Sequence, residues 1–406
     1  MKKINGSNSP LTYLHREMLT KEFSPTLRWN SLSVNNVAVS ADIVAMDSSL
    51  PLKRRDSLRK ADGEIPKLGM ALSLNETQMN ELNILIATNA GDGEIFKKLF
   101  KDSERVVQGI YERLEAMFLE SLSTGLTVIT DEKNPGLGIR INFEHPEANK
   151  YGVVIPWSDP KAKPIDDIDR VIDKARDKHS NVVRYIMMDK TTFNKFRSNA
   201  QVKEKYAFFL GFTGTNIPSV PNVSAANEFL SASYQVEIKI VNRSIITEKD
   251  GKRSSYTPWA SNAVVFLTDL NVGTLTYGKL AEETFKVQGV DYAKVDDFIL
   301  VSKYHENNPI KEFTTSQALV LPVIQNIDAI YIMNCEEAVT DVQTEGDAGF
   351  AYNSKNYTKS SVVSAINTAV GSTKAKSTNK DETLLTYINE LSEEQILIFE
   401  ANITLV

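Results

Sequence analysis

Residues 103–125 read SERVVQGIYERLEAMFLESLSTG, and the fold is decided there. Val107, Ile110, Tyr111, Leu114, Met117, Phe118 and Leu122 recur at the i, i+3, i+4, i+7 spacing of one apolar helical stripe. Ser103 is placed to cap the start, and Gly125 to supply the left-handed residue just past the end. Residues 104–124 therefore predict a rod of roughly 32 Å at 1.5 Å per residue. Upstream, Asn75-Glu76-Thr77-Gln78 has capping-box spacing and opens a second helix, with Leu82, Leu85 and Ile86 on its apolar side. Gly91-Asp92-Gly93 is expected to interrupt it.

Before these helices, residues 37–46 and 65–72 are two β-prone runs joined by a basic, polar stretch, residues 53–60. They predict an extended hairpin, which has little core of its own and must lie on another surface. Residues 1–32 are polar and broken by Pro10 and Pro25, an arm that needs a partner to become ordered. Downstream come strands at 127–130, 138–143 and 152–157, then a helix after Pro164 with Ile165, Ile168, Ile172 and Ala175 on one face. A strand at 182–188 leads into a short helix at Asp189, and 203–230 reads as loop-rich with a short amphipathic piece. Strands return at 236–241, 263–268, 317–324 and 327–333. After Glu336 the composition turns to Asn, Ser, Thr and Lys, with two short helices expected, at 360–370 and after the capping box Ser392-Glu393-Glu394-Gln395. There is no internal repeat.

The chain has 406 residues, 42% hydrophobic and 24% charged, an ordinary globular mixture that excludes a disordered or fibrous protein. Its net charge of −6 is wrong for a dedicated nucleic-acid binder. The one cysteine, Cys335, excludes an internal disulfide framework and any multi-cysteine zinc site. No apolar signal core follows Lys2 and Lys3, and no run near 20 apolar residues occurs, so a cytosolic chain is expected.

Chemical motifs are weak. Gly273-Thr274-Leu275-Thr276-Tyr277-Gly278-Lys279 matches a phosphate loop until Leu280 stands where a hydroxyl must reach Mg²⁺, so it reads as a strand and turn. Asp166, Asp167, Asp169 and Asp173 read as acidic residues favouring a helix N-terminus, with Asp166 and Arg170 at i, i+4, rather than as acid–base or cation ligands. His15, His145, His179 and His305 are far apart and form no helical zinc pair. No nucleophile elbow is present, and Cys335 reads as a packed small side chain. Lys53, Arg54, Arg55, Arg59 and Lys60 lack the interleaved aromatics of a base-stacking surface, so they read as a solvated loop or an inter-subunit patch. No catalytic, cofactor or metal residue is nominated.

The order of these elements resembles the major capsid (head) proteins of tailed bacteriophages, specifically the lambda-type E family with the Hong Kong 97-like fold. Residues 50–56 with 64–67 carry the resemblance, as do 105–125, 155–160 with 164–167, and 302–305, 308–309 and 321–323. It covers roughly residues 30–336. The implied fold is α+β: an N-terminal arm (1–32), an extended β-hairpin loop (33–73), and a peripheral domain (74–150) with a spine helix over 103–125. An axial domain (151–300), returning peripheral strands (301–336) and a C-terminal extension (337–406) complete it. The implied function is structural, not enzymatic: self-assembly into an icosahedral head around double-stranded DNA. The implied partners are other copies in hexameric and pentameric capsomers, a separate scaffolding protein, a portal and decoration proteins. DNA would be touched only non-specifically, and a membrane not at all. Localisation would be the virion, assembled in the host bacterial cytoplasm. Lys53, Lys60 and Lys67 lie where some relatives crosslink subunits, and Lys53, Arg54, Arg55, Arg59 and Lys60 are the inter-subunit contact candidates. A same-fold nanocompartment shell, a tail or baseplate component, and a cytosolic two-domain enzyme are the alternatives.

Overall fold

The computed structural model describes residues 13–34, 58–87, 92–129, 139–212, 220–249, 251–338, 350–352, 355–357, 359–371, 374–375 and 381–403. Two units separate, Met1–Val339 and Thr340–Val406.

The first unit begins with α1 (Leu14–Met18), β1 (Leu19–Phe23), β2 (Arg28–Val34), β3 (Leu58–Glu64) and β4 (Lys67–Asn75). Helices α2 (Glu76–Ala87) and α3 (Asp92–Thr124) follow, then β5 (Leu126–Ile129), β6 (Ile139–Asn142) and β7 (Lys150–Val153). A helical region comprises α4 (Pro164–His179), β8 (Tyr185–Asp189), α5 (Lys190–Ser198), α6 (Ala200–Phe209) and α7 (Val223–Tyr234). Next are β9 (Glu237–Val241), β10 (Ile245–Lys249), β11 (Lys252–Tyr256), β12 (Ala263–Leu267), β13 (Gly273–Tyr277) and α8 (Ala281–Thr284). Strands β14 (Asp291–Val295), β15 (Ile299–Asn307), β16 (Ile310–Ile324) and β17 (Ile330–Ala338) close the unit.

Two sheets organise it. The first has the order β1-β13-β16-β15-β14, with β4 also on β16. Strand β16 is 15 residues long, so one edge holds β4 along Lys311–Leu319 and then β13 along Val320–Ile324, while the other holds β15. The second sheet has the order β7-β17-β12-β8-β9 and mixes parallel and antiparallel pairs.

Side-chain alternation explains how the second sheet separates two cores. Successive residues of a strand face opposite sides. On β12, Val265 and Leu267 join the core around α3, whereas Val264 and Phe266 join the core under α4–α7. On β17, Ile330 and Ile332 face the first core, and Tyr331, Met333 and Cys335 face the second. A sheet covered on both faces reads as a continuous apolar run, as AVVFL of β12 does. Helix α3 buries Val106, Val107, Ile110, Leu114, Met117, Phe118, Leu119 and Leu122, and Ser316 Oγ of β16 donates to Val106 O at 2.7 Å.

The expected helix caps at Asn75 and Gly125 are formed, but the start of the long helix is corrected. The Asn75 box is formed, Gln78 N donating to Asn75 Oδ1 at 2.9 Å and Asn75 N to Gln78 Oε1 at 3.0 Å. Gly125 ends α3 with φ +77°, its N–H donating to Ser121 O at 2.8 Å. But α3 begins at Asp92 and runs 33 residues, about 50 Å, so Ser103 lies inside it. Ile95, Phe96, Leu99 and Phe100 continue the helical spacing upstream, and that continuity outweighs the capping preference of a serine.

The hairpin is re-registered. Its described strands are β2 and β3, Arg28 opposite Glu64 through Val34 opposite Leu58. Residues 67–72 belong instead to β4 on the first sheet, because the 15-residue β16 offers a long free edge of backbone donors and acceptors there. Residues 37–46 lie outside the described residues. The arm expected over 1–32 is built into the unit from residue 13 onward, as β1 pairs in parallel with β13. The stretch read as loop-rich contains α6 and α7, capped by Asn199 and Asn222; such short helices give too little periodicity to read. Strands β13 and β14, expected with the axial segment, pair in the first sheet, and β17 pairs in the second.

The second unit holds β18 (Phe350–Tyr352), β19 (Lys355–Tyr357), α9 (Lys359–Val370), α10 (Asp381–Asn389) and α11 (Glu393–Asn402). It has its own buried core, including Phe350, Val362, Ile366, Leu384, Ile388 and Phe399. The Ser392 box is formed, and α10 is a helix beyond the two expected.

Candidate inter-subunit surfaces

Strands β2 and β3 pair only with each other among the described residues, so the hairpin is held by its root. Trp29, Ser31 and Ser33 alternate inward and are buried, while Arg28, Asn30 and Leu32 face out. The Trp29 ring meets Phe143 at a centroid distance of 5.5 Å and lies across Gly63, where a Cβ would stand 2.8 Å from its Nε1. Ser31 Oγ donates to Ile324 O at 2.6 Å, and Ser33 Oγ to Asp328 Oδ2 at 2.5 Å. Leu32 N donates to Gln325 Oε1 at 2.8 Å, and Gln325 Nε2 returns a bond to Asn30 O at 2.9 Å. Serines replace apolar residues on this inner face, which hid its period from a hydrophobic reading.

Lys53, Arg54 and Arg55 lie outside the described residues. Arg59 and Lys60 are not in a tip: they belong to β3, opposite Ser33 and Leu32. Lys60 is exposed and stands 3.6 Å from Asp62, which also receives Arg28 at 3.1 Å. Lys67 is exposed at the start of β4. The structure does not bring the five basic candidates together as a described patch.

Residues 13–23 are fixed by acids on and near α3. Glu115 is buried and accepts from Leu14 N at 3.0 Å, His15 N at 3.1 Å and His15 Nδ1 at 2.6 Å. Tyr13 OH donates to Glu112 at 3.0 Å, and Arg243 pairs with the same carboxylate while lying over the Tyr13 ring. Asp296 accepts from Arg16, Lys21 and Tyr111. Burial alone would raise the Asp296 carboxyl, but the bonds from Lys21 and Tyr111 and the cations Arg16 and Lys21 hold it below the usual carboxylate range.

The remaining groups that the sequence singled out are, among the described residues, already engaged in packing, hydrogen bonds or ion pairs. Gly273–Tyr277 is a strand flanked by β1 and β16, and a Cβ on Gly273 would fall 2.0 Å from Val323 O, so this glycine serves strand packing. Asp166 and Asp167 open α4, but Arg170 pairs with Asp167 at 3.2 Å rather than with Asp166. Asp167 is buried under Trp157, whose Nε1 donates to it at 3.1 Å. His15 is bound to Glu115, and His305 lies 2.9 Å from Glu312. Burial lowers His145 to a pKa of about 4. Burial also pushes the Cys335 thiol up to about 12, the state of an inert packed side chain. Beside it, Glu336 accepts from Lys195 at 2.9 Å and from Ser158 Oγ at 2.7 Å, so this lysine is already neutralised. Among the described residues no three His, Cys, Asp or Glu converge to hold a metal, and no helix is long and apolar enough to cross a membrane.

The family model described as phage major capsid protein E matches residues 35–334. Comparison with curated proteins returns no match. Among solved structures, one assigned as the capsid protein of a prophage of Escherichia coli CFT073 superposes with a TM-score of 0.51 at 13% identity, covering 82% of this chain and 96% of that one. The capsid asymmetric unit of cyanophage A-1(L) gives 0.49 at 9% identity, covering 82% and 95%. A holo-encapsulin complex from Synechococcus elongatus PCC 7942 gives 0.38 at 9%, covering 85% and 94%. The last two, below 0.5, add nothing to the fold. The first shows that the two sheets and the long helix make a Hong Kong 97-like shell fold.

Proposed function

From the premise that this chain belongs to the phage major capsid protein E family, we propose how its parts build the shell. The protein is a structural capsid protein, not an enzyme, that assembles with copies of itself in the virion. The family match over 35–334 carries this reading. In the proposal, α3 is the spine of each subunit and the β2–β3 hairpin, rooted by Trp29, Ser31 and Ser33, extends over a neighbouring copy. An isolated two-stranded ribbon is marginal in water, so a neighbour's surface completes it. Weak contacts repeated around each subunit then give a stable shell through avidity. Copies gather as hexamers and pentamers in the host cytoplasm, guided by a separate scaffolding protein and closed by a portal. The net charge of −6 limits adhesion of packaged DNA to the wall.

The unit Thr340–Val406 lies beyond the family match and has its own core, which supports an appended domain that shell closure does not need. Negative-stain microscopy and sedimentation of the purified full chain test the proposal, beside a chain ending at residue 339. Both should form capsomers or megadalton hollow particles. A full chain that stays monomeric to tetrameric at every concentration, with or without phage lysate, would overturn the shell. Shells from the full chain alone would overturn the separable tail.

A further inference from the structure

The most exposed large apolar side chain among the described residues is Phe208, at 86%, on the outer face of α6. The inner face is ordinary: Val202 and Ala207 are buried, and Phe209 meets Phe229 edge-on at 5.7 Å. A helix that buries one face should carry polar residues on the other. Here Phe208 is followed by Leu210, 53% exposed, and Phe212, 41% exposed. This run is not a frayed end. Gly211 N donates to Phe208 O at 2.9 Å and Phe212 N to Ala207 O at 3.0 Å, with Gly211 at φ +69°, the paired bonds of a Schellman stop. At its other end α6 is capped by Asn199 and tied to α4, where Gln201 Nε2 donates to Asp166 at 2.6 Å. The apolar ridge is thus held in place before anything covers it.

We propose that Phe208, Leu210 and Phe212 form a contact seat that a second copy of this chain covers in the shell. The inference rests on the shell reading above and names a surface for it. Phe208, Leu210 and Phe212 together expose roughly 350 Å² of apolar surface, taking about 150–250 Å² for a whole aromatic side chain. That rivals the largest apolar patch of a typical soluble monomer. It is about half of the ~800 Å² per partner in a stable pairwise interface. A seat of this size fails between two isolated molecules and holds when repeated among many copies, which is why the occupant is another copy.

Cys335 is fully buried, so a thiol placed at 208 is the reactive one in the folded chain. Phe208→Cys, with Leu210→Cys as a second position, is labelled with a maleimide as free subunits and as shells assembled from the purified chain. Labelling at least about tenfold slower in shells is expected. Phe208→Ser should keep the wild-type melting temperature and raise the threshold concentration for assembly about tenfold, as loss of one buried aromatic implies. Equal labelling in the two states, or an unchanged threshold, would overturn the seat while wild-type shells still formed. Protection that requires a second protein would assign the ridge to that protein and overturn it equally. Failure of the wild-type chain to assemble, with or without phage lysate, would strike the shell reading instead.

Discussion

Replacing Glu115 by alanine tests why residues 13–23 belong to the fold at all. The carboxylate is 1% exposed and receives three donors: two backbone N–H groups and the Nδ1 of a fully buried histidine. Truncation leaves all three without an acceptor, and each buried orphan costs about 1–3 kcal/mol. The full sum is not reached, because residues 13–18 can lift away and find water. A loss of about 3–5 kcal/mol, the lower part of that sum, is expected for Glu115→Ala. Glu115→Gln keeps one acceptor and most of the volume, so it should recover about half. Urea denaturation of unassembled subunits measures the loss, and hydrogen exchange locates it. Amides of α1 and β1 should exchange far faster in Glu115→Ala, while those of β8 and β12 should speed up only as far as the loss of global stability requires. A loss below about 0.5 kcal/mol, the size of an ordinary surface change, would refute the clamp. So would a Glu115→Gln variant no better than alanine, since the defect would then be a cavity and not lost hydrogen bonds.

Three further outcomes are expected. His145 stays neutral down to about pH 4 in the fold but titrates near 6.5 when unfolded. The unfolded chain therefore takes up the proton first, and stability falls with pH between about 6.5 and 4, by about 3 kcal/mol in all. His145→Asn should flatten that part of a urea-midpoint series. Trp29→Ala should cost about 3–5 kcal/mol at the hairpin root, and hydrogen exchange should rise in β2 and β3 without matching change in β8. Gly125→Ala forces a side chain to φ +77° and puts its Cβ 2.7 Å from the His145 Cβ, so thermal unfolding should show a loss of about 1–3 kcal/mol.

The sequence by itself determined the elements whose residues report to one neighbouring turn. The stripe of α3 from Val107 to Leu122, the Gly125 stop, the boxes at Asn75 and Ser392, and the helix after Pro164 all depend on contacts within a few residues, which linear spacing records. It also separated the strand at Gly273 from a phosphate loop, and the burial of Cys335 agrees with its reading as a packed side chain. Tertiary structure decided what depends on partners far along the chain. Ser31 and Ser33 face inward because the Ile324 carbonyl and Asp328 stand nearly three hundred residues away, and no local pattern announces that. Leu14 and His15 are ordered by Glu115, about a hundred residues away, a pairing that helical spacing does not record. β4 left the expected hairpin because β16 offered it a longer edge. Phe208 was invisible as a surface because an aromatic residue looks the same in a sequence whether its face is covered or bare, and only the packing of α6 against α4 and α7 shows which face was left open.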